Sequence, residues 1–114
     1  MKPEIIAEIG QNHNGDIGLA RELIHAAHEA GADVAKFQVY DAATLFSRDG
    51  NEWFEYNCQS ELSQEQVMTL AAECAHIGIE FMASVFDVER IGWLEEIGVK
   101  RYKVASRSIQ DDDL

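Results

Sequence analysis

Gly31, Gly78 and Gly98 each stand at the end of an amphipathic stretch and shortly before a compact apolar run. Glycine accepts the left-handed conformation with which helices commonly end, so each marks a helix-to-strand junction. The only proline is Pro3, so the helix stops rest on glycine. Short apolar runs alternating with longer amphipathic ones are the signature of βα units and a parallel sheet. One supersecondary unit is used three times and followed by a final strand, which differs from a solenoid repeat.

The first strand is predicted at Ile5 to Ile9, and the first helix from Asp16 or Ile17 to Ala30. Ala20, Leu23, Ile24 and Ala27 form that helix's apolar stripe at i, i+3, i+4, i+7. The second strand spans Asp33 to Val39. A second helix opens at Ser63, with Gln66 completing a capping box, and buries Val67, Leu70, Ala71 and Cys74. Strand three is Ile79 to Ala83, and a third helix from Val88 to Ile97 buries Val88, Ile91 and Leu94. Asp87 is read as that helix's cap, and strand four runs from Arg101 to Ala105. The connection from Tyr40 to Leu62 is too long for an ordinary βα loop and carries Phe46, Trp53, Phe54 and Tyr56. It reads as a lid or an interface.

At 114 residues, 46% hydrophobic and 26% charged, the chain has the composition of one small globular domain. Its net charge of -12 argues against nucleic acid or an anionic membrane as partner, since both call for clustered Lys and Arg. An anionic small substrate remains open, provided a few well-placed lysines dominate one pocket. Cys58 and Cys74 form no C-x-x-C pair and read as ordinary reduced thiols. The N-terminus runs straight into a strand without an apolar signal core, and no apolar run approaches the ~20 residues that span a bilayer. A cytoplasmic protein is expected.

Parallel strands are normally buried on both faces and read as unbroken apolar runs. Here they carry charge. Strand residues alternate between faces, which sets Ile5, Ala7 and Ile9 against Ile6 and Glu8, and Ala35, Phe37 and Val39 against Val34, Lys36 and Gln38. In a barrel the apolar sets meet the helices, and Glu8, Lys36, Gln38 and Lys103 point into the lumen near its C-terminal mouth. A buried ammonium costs several kcal/mol unless it is paired. One reading is a structural Glu8–Lys36 ion pair with Lys103 extended to water. The other is an anion site, where two lysines take a phosphate or carboxylate and Gln38 bonds a polar substrate group, at the end where barrel active sites lie. The Gly10-to-Asp16 loop either offers its amides to a ligand or is a plain turn capped by Asp16. His25 and His28 lie on one helix face with no third ligand nearby and read as solvated, and His76 as a helix-dipole partner.

Four fragments together resemble the N-acetylneuraminate (sialic acid) synthase family. They are Ala7-Glu8-Ile9-Gly10-Gln11-Asn12-His13-Asn14-Gly15, Gly31-Ala32-Asp33-Val34-Ala35-Lys36-Phe37-Gln38, Gly78-Ile79-Glu80-Phe81-Met82-Ala83-Ser84-Val85-Phe86-Asp87 and Tyr102-Lys103-Val104-Ala105-Ser106. The resemblance implies an α/β chain forming the first half of a (β/α)8 TIM barrel, with four parallel strands and three helices; a whole barrel takes ~250 residues. It implies condensation of phosphoenolpyruvate with an open-chain N-acetyl amino sugar, giving a nonulosonic acid and phosphate. By that resemblance Lys36, Lys103 and Ser106 contact phosphoenolpyruvate, Gln38 contacts the sugar and Glu8 handles protons; Asn12, Arg107 and Ser108 are further candidates for lining the substrate. The sequence departs from the family at Arg107-Ser108, where a small residue and then an acid are usual, and at Val85, where proline is common. A divalent metal, Mn or Mg, is implied for the complete enzyme, with ligands beyond Leu114 and none in this chain. A homo-oligomer is expected. Two alternatives are a non-catalytic fragment or self-assembling half-barrel, and a Schiff-base aldolase using Lys36 or Lys103.

Overall fold

The structure, a computed structural model, describes residues 2–45 and 53–104. Among them the elements run β1 (Ile6–Gly10), α1 (Ile17–Glu29), β2 (Val34–Val39), α2 (Ala42–Leu45), α3 (Phe54–Gln59), α4 (Gln64–Ile77), β3 (Glu80–Val85), α5 (Val88–Ile97) and β4 (Lys103–Val104). The strands are parallel and lie in the order β1-β2-β3-β4. Crossovers between parallel strands are right-handed, so an order that never reverses puts every crossover helix on one face. That is barrel winding rather than the doubly wound arrangement, in which the order reverses.

Local signals act as the sequence predicts. Asp16 Oδ1 accepts from Leu19 N–H at 3.2 Å and caps α1. Ser63 and Gln66 form the reciprocal box at 3.1 and 2.9 Å, and Asp87 Oδ1 accepts from Arg90 N–H at 2.8 Å. α4 and α5 end on left-handed Gly78 and Gly98. Strand bounds move slightly. β3 continues two residues past Ala83, and only Lys103 and Val104 of the predicted fourth strand are paired among the described residues.

Two expectations are corrected. The three crossover helices are joined by two short ones, α2 and α3, inside the stretch read as an extended connection. α3 has six residues and no side-chain N-cap bond. A helix that short is not stable alone, and tertiary contacts through Phe54, Asn57 and Ser60 hold it. Val88, placed in the core of α5, is 55% exposed because the Asp87 cap sets it on the outer side of the first turn. Arg90 is buried in its stead, its guanidinium 4.5 Å from the Trp93 ring centre and 3.2 Å from Asp87 Oδ2.

One sheet face packs under the helices. Ile9, Ala35, Phe37, Val39, Phe81, Ala83 and Val85 meet Ala20 and Ile24 of α1, Val67, Leu70 and Cys74 of α4, and Leu94 of α5. Phe37 and Phe81 stack with ring centres 5.5 Å apart. Burying a large aliphatic side chain contributes ~1.5–3 kcal/mol, so this layer dominates stability. The opposite face carries Glu8, Lys36, Gln38, Glu80, Met82, Ser84, Arg101 and Lys103, by strand alternation and register. At its lower end the Arg101 guanidinium bonds both carboxylate oxygens of Glu4, at 2.7 and 2.5 Å, and both of Glu80, at 3.1 and 3.0 Å. In a flat sheet the edge strands stand roughly 14 Å apart, three ~4.8 Å spacings. Contact between residues preceding β1 and β4 marks this face as the concave one. Among the described residues no helix is long and apolar enough to cross a membrane.

Candidate functional site at the strand mouth

β1 and β2 pair with Glu8 beside Lys36. Lys36 Nζ donates to Glu8 Oε2 at 2.5 Å, and the two partners differ in exposure: the lysine side chain is 13% exposed and the glutamate 54%. The register then slips between Glu8 and Gly10, so that Gly10 stands beside Phe37. This irregularity, with Gly10 at φ +55, bends the top of β1. A Cβ on Gly10 would lie 3.5 Å from Gln38 Nε2 and 3.7 Å from Glu8 Oε1. Carboxylate and amide thus both border the position a side chain at Gly10 would take, at ordinary van der Waals distance, and the ammonium is bonded to the same carboxylate.

Above them the register sets Gln38 beside Ser84 and Ser84 beside Lys103. Ser84 is buried and Lys103 exposed. Two strand spacings separate Gln38 from Lys103, about 10 Å. The predicted quartet is thus a close trio of Glu8, Lys36 and Gln38, with Lys103 at the far end of the next row. Asn12 sits exposed in the β1–α1 turn, its N–H donating to Ile9 O at 2.9 Å. Ser106, Arg107 and Ser108 lie outside the described residues.

Sequence reasoning undervalued three residues. Ser84 joins the row because β3 runs two residues further than its apolar content suggests. His13 is fully buried, accepts from Gly15 N–H through Nδ1 at 3.0 Å and lies 6.0 Å from the Phe37 ring. Burial pushes its pKa below the usual imidazole value. Arg90 ties the mouth together, with Asp87 on one side and Glu61 at 4.0 Å on the other, while Glu61 Oε1 accepts from Ala42 N–H at 2.8 Å. No alternation pattern covers turn residues, so His13 had no signal; Arg90 was hidden by its charge. Among the described residues no group of three or more His, Cys, Asp or Glu side chains is placed to hold a metal ion. His25 instead faces Glu73 at 3.6 Å on the outer surface.

A singly wound parallel α/β unit, polar at the C-terminal ends of its strands and apolar beneath its helices, is the first half of a (β/α)8 barrel, with the candidate site at the end where barrel active sites lie. Residues 23–114 match the NeuB family, and the chain belongs to it. It is 41% identical over 118 residues to the N,N'-diacetyllegionaminic acid synthase of Legionella pneumophila, covering 92% of this chain and 33% of the relative. It is 39% identical to the N-acetylneuraminate-9-phosphate synthase of Mus musculus, covering 90% and 32%. The crystal structure of N-acetylneuraminic acid (sialic acid) synthetase from Leptospira borgpetersenii in complex with citrate superposes with a TM-score of 0.84 at 35% identity, covering 96% of this chain and 39% of that one. The chain spans about a third of the length of the curated relatives it matches.

Proposed function

We propose that the chain supplies the first half of the barrel of a phosphoenolpyruvate-dependent sugar acid synthase, which condenses phosphoenolpyruvate with an open-chain N-acetyl amino sugar to a nonulosonic acid and phosphate. The Lys36–Glu8 bond, with Glu8 and Gln38 both bordering Gly10, is the observation that carries the proposal. The names of the legionaminic acid and N-acetylneuraminate-9-phosphate synthases among its relatives support the product class.

Lys36 and Lys103, with Ser106, take the phosphate and carboxylate of phosphoenolpyruvate, and Gln38 orients the sugar. Asn12, Arg107 and Ser108 complete the substrate-lining set. The methylene carbon of phosphoenolpyruvate attacks the sugar aldehyde, whose oxygen takes a proton; water then adds to the neighbouring phosphate-bearing carbon, and phosphate leaves. The lysines offset negative charge on the departing phosphate, an electrostatic contribution made in place. An incoming phosphoenolpyruvate competes with Glu8 for the Lys36 ammonium, and the released carboxylate, already the more exposed partner, is then available to move protons. Mn or Mg belongs to the proposal for the complete enzyme, with ligands beyond residue 114, and would polarise the sugar aldehyde as a Lewis acid. A cytoplasmic homo-oligomer completes the proposal.

The test is phosphate release in the full-length protein, measured with phosphoenolpyruvate and a panel of N-acetyl amino sugars. Release requiring both components is expected; none with any acceptor would sink the proposal. The Glu8–Lys36 bond counts against Lys36 as a Schiff-base lysine, because a nitrogen engaged by a carboxylate is not free to attack a carbonyl.

A further inference from the structure

Gln11 lies in the loop at the mouth, yet its side chain is bonded to the protein. Its Nε2 donates to Tyr40 Oη at 2.6 Å and to Asn57 Oδ1 at 2.9 Å. Tyr40 is fully buried, and its phenol donates to the Asn57 carbonyl at 2.7 Å. Tyr56 Oη returns a bond to the Gln11 carbonyl at 3.2 Å. The β1–α1 loop, the end of β2 and helix α3 are thus joined by one polar network. A second contact seats the same loop on α3. A Cβ on Gly15, which has φ +79, would lie 2.0 Å from the Gln59 carbonyl oxygen, an approach only glycine permits.

α3 has no side-chain cap and is too short to stand alone, so helix and loop hold each other. Burial pushes the Tyr40 phenol up to about 12, which keeps it a neutral donor across the working pH range. Freeing the Gln11 amide for a substrate would strip its buried partners of their bonds, a costly exchange.

We infer that the Gln11–Tyr40–Asn57 network is a latch that holds the β1–α1 loop, and with it Asn12 and Gly10, in register with Glu8 and Gln38; Tyr40 and Gln11 are positioning residues and not substrate ligands. The kinetic half of this inference rests on the proposed synthase reaction, and the structural half stands without it. Tyr40→Phe removes one oxygen from the hub. In the full-length protein, amide hydrogen exchange across residues 10–16 and 54–60 is expected to rise ~10-fold through local opening. Phosphoenolpyruvate affinity, measured by calorimetry, stays within about twofold, while kcat for condensation falls ~10-fold or more, since misplaced groups cost rate before affinity. Tyr56→Phe, which removes only the outer bond, changes exchange in the same direction by less and guards against misfolding of the first variant.

Unchanged exchange in both variants overturns the latch. A loss of phosphoenolpyruvate affinity matching the loss of kcat overturns the positioning role in favour of direct contact. If the unmodified protein neither binds phosphoenolpyruvate nor releases phosphate, the synthase proposal fails while the exchange result still decides the latch.

Discussion

Lys36 Nζ lies 2.5 Å from Glu8 Oε2, and the cation is the enclosed member of the pair while the anion opens to the mouth. An enclosed ammonium with a displaceable carboxylate is prepared for exchange with an incoming anion.

Lys36→Ala in the full-length protein is expected to lower kcat/KM for phosphoenolpyruvate by at least ~100-fold, as loss of a charged hydrogen bond plus its electrostatic role implies, with the circular dichroism spectrum unchanged. Glu8→Gln is expected to reduce turnover more than phosphoenolpyruvate affinity. Steady-state kinetics alongside calorimetry separate the two, and near-normal turnover in the lysine variant rules out the anion-site role.

Ser84 stands between Gln38 and Lys103 in the strand register and is buried on the concave face. Ser84→Ala should weaken phosphoenolpyruvate binding ~10-fold, the worth of one hydrogen bond to a charged group, at little cost in stability. A titration giving the parent affinity would remove Ser84 from the site.

His13 titrates low because it is buried, and its Nδ1 is occupied as an acceptor. The unfolded chain binds a proton near pH 6.5, the folded one only below that. Folding stability should therefore be fully present above pH 6.5 and fall as the pH drops beneath it. Imidazole resonances followed by NMR should titrate with a midpoint below 6.5; a midpoint at or above 6.5 contradicts the assignment.

Glu4 is held below its usual value of 4.5 by its bond to Arg101. A carboxylate with a depressed folded pKa contributes stability present above the unfolded value and lost as the pH falls through the folded one. Glu4→Gln should lower the melting temperature modestly at pH 7 and flatten the decline below about pH 4.5. Glu73, held down by Arg21, retains the rest of that decline. Parallel acid limbs in thermal melts of the two proteins would exclude the Glu4 contribution.

Gly15 faces the Gln59 carbonyl at close range with positive φ. Gly15→Ala combines a strained backbone with a collision and should destabilise by more than ~1 kcal/mol, read as a lower midpoint in urea.

Much of this was legible where chemistry is local or strictly periodic. Asp16, Ser63 with Gln66, and Asp87 cap the helices predicted for them, because a cap needs only residues within one turn. The two-residue period of a strand alone sorts Glu8, Lys36 and Gln38 onto one face, and the register makes that the concave one. Contacts distant along the chain were not legible. α3 exists through Gln11 and Gly15, more than 40 residues away, and six residues display no period of their own. Val88 and Arg90 exchanged inside and outside because the cap at Asp87 set the phase of α5, and the guanidinium found carboxylates and an indole to lie against.

The Glu4–Arg101–Glu80 cluster has a consequence for traffic. Three charged side chains locked together at the foot of the concave face stopper that end. Among the described residues the approach to Lys36 is therefore open at the strand mouth and filled with charge at the foot.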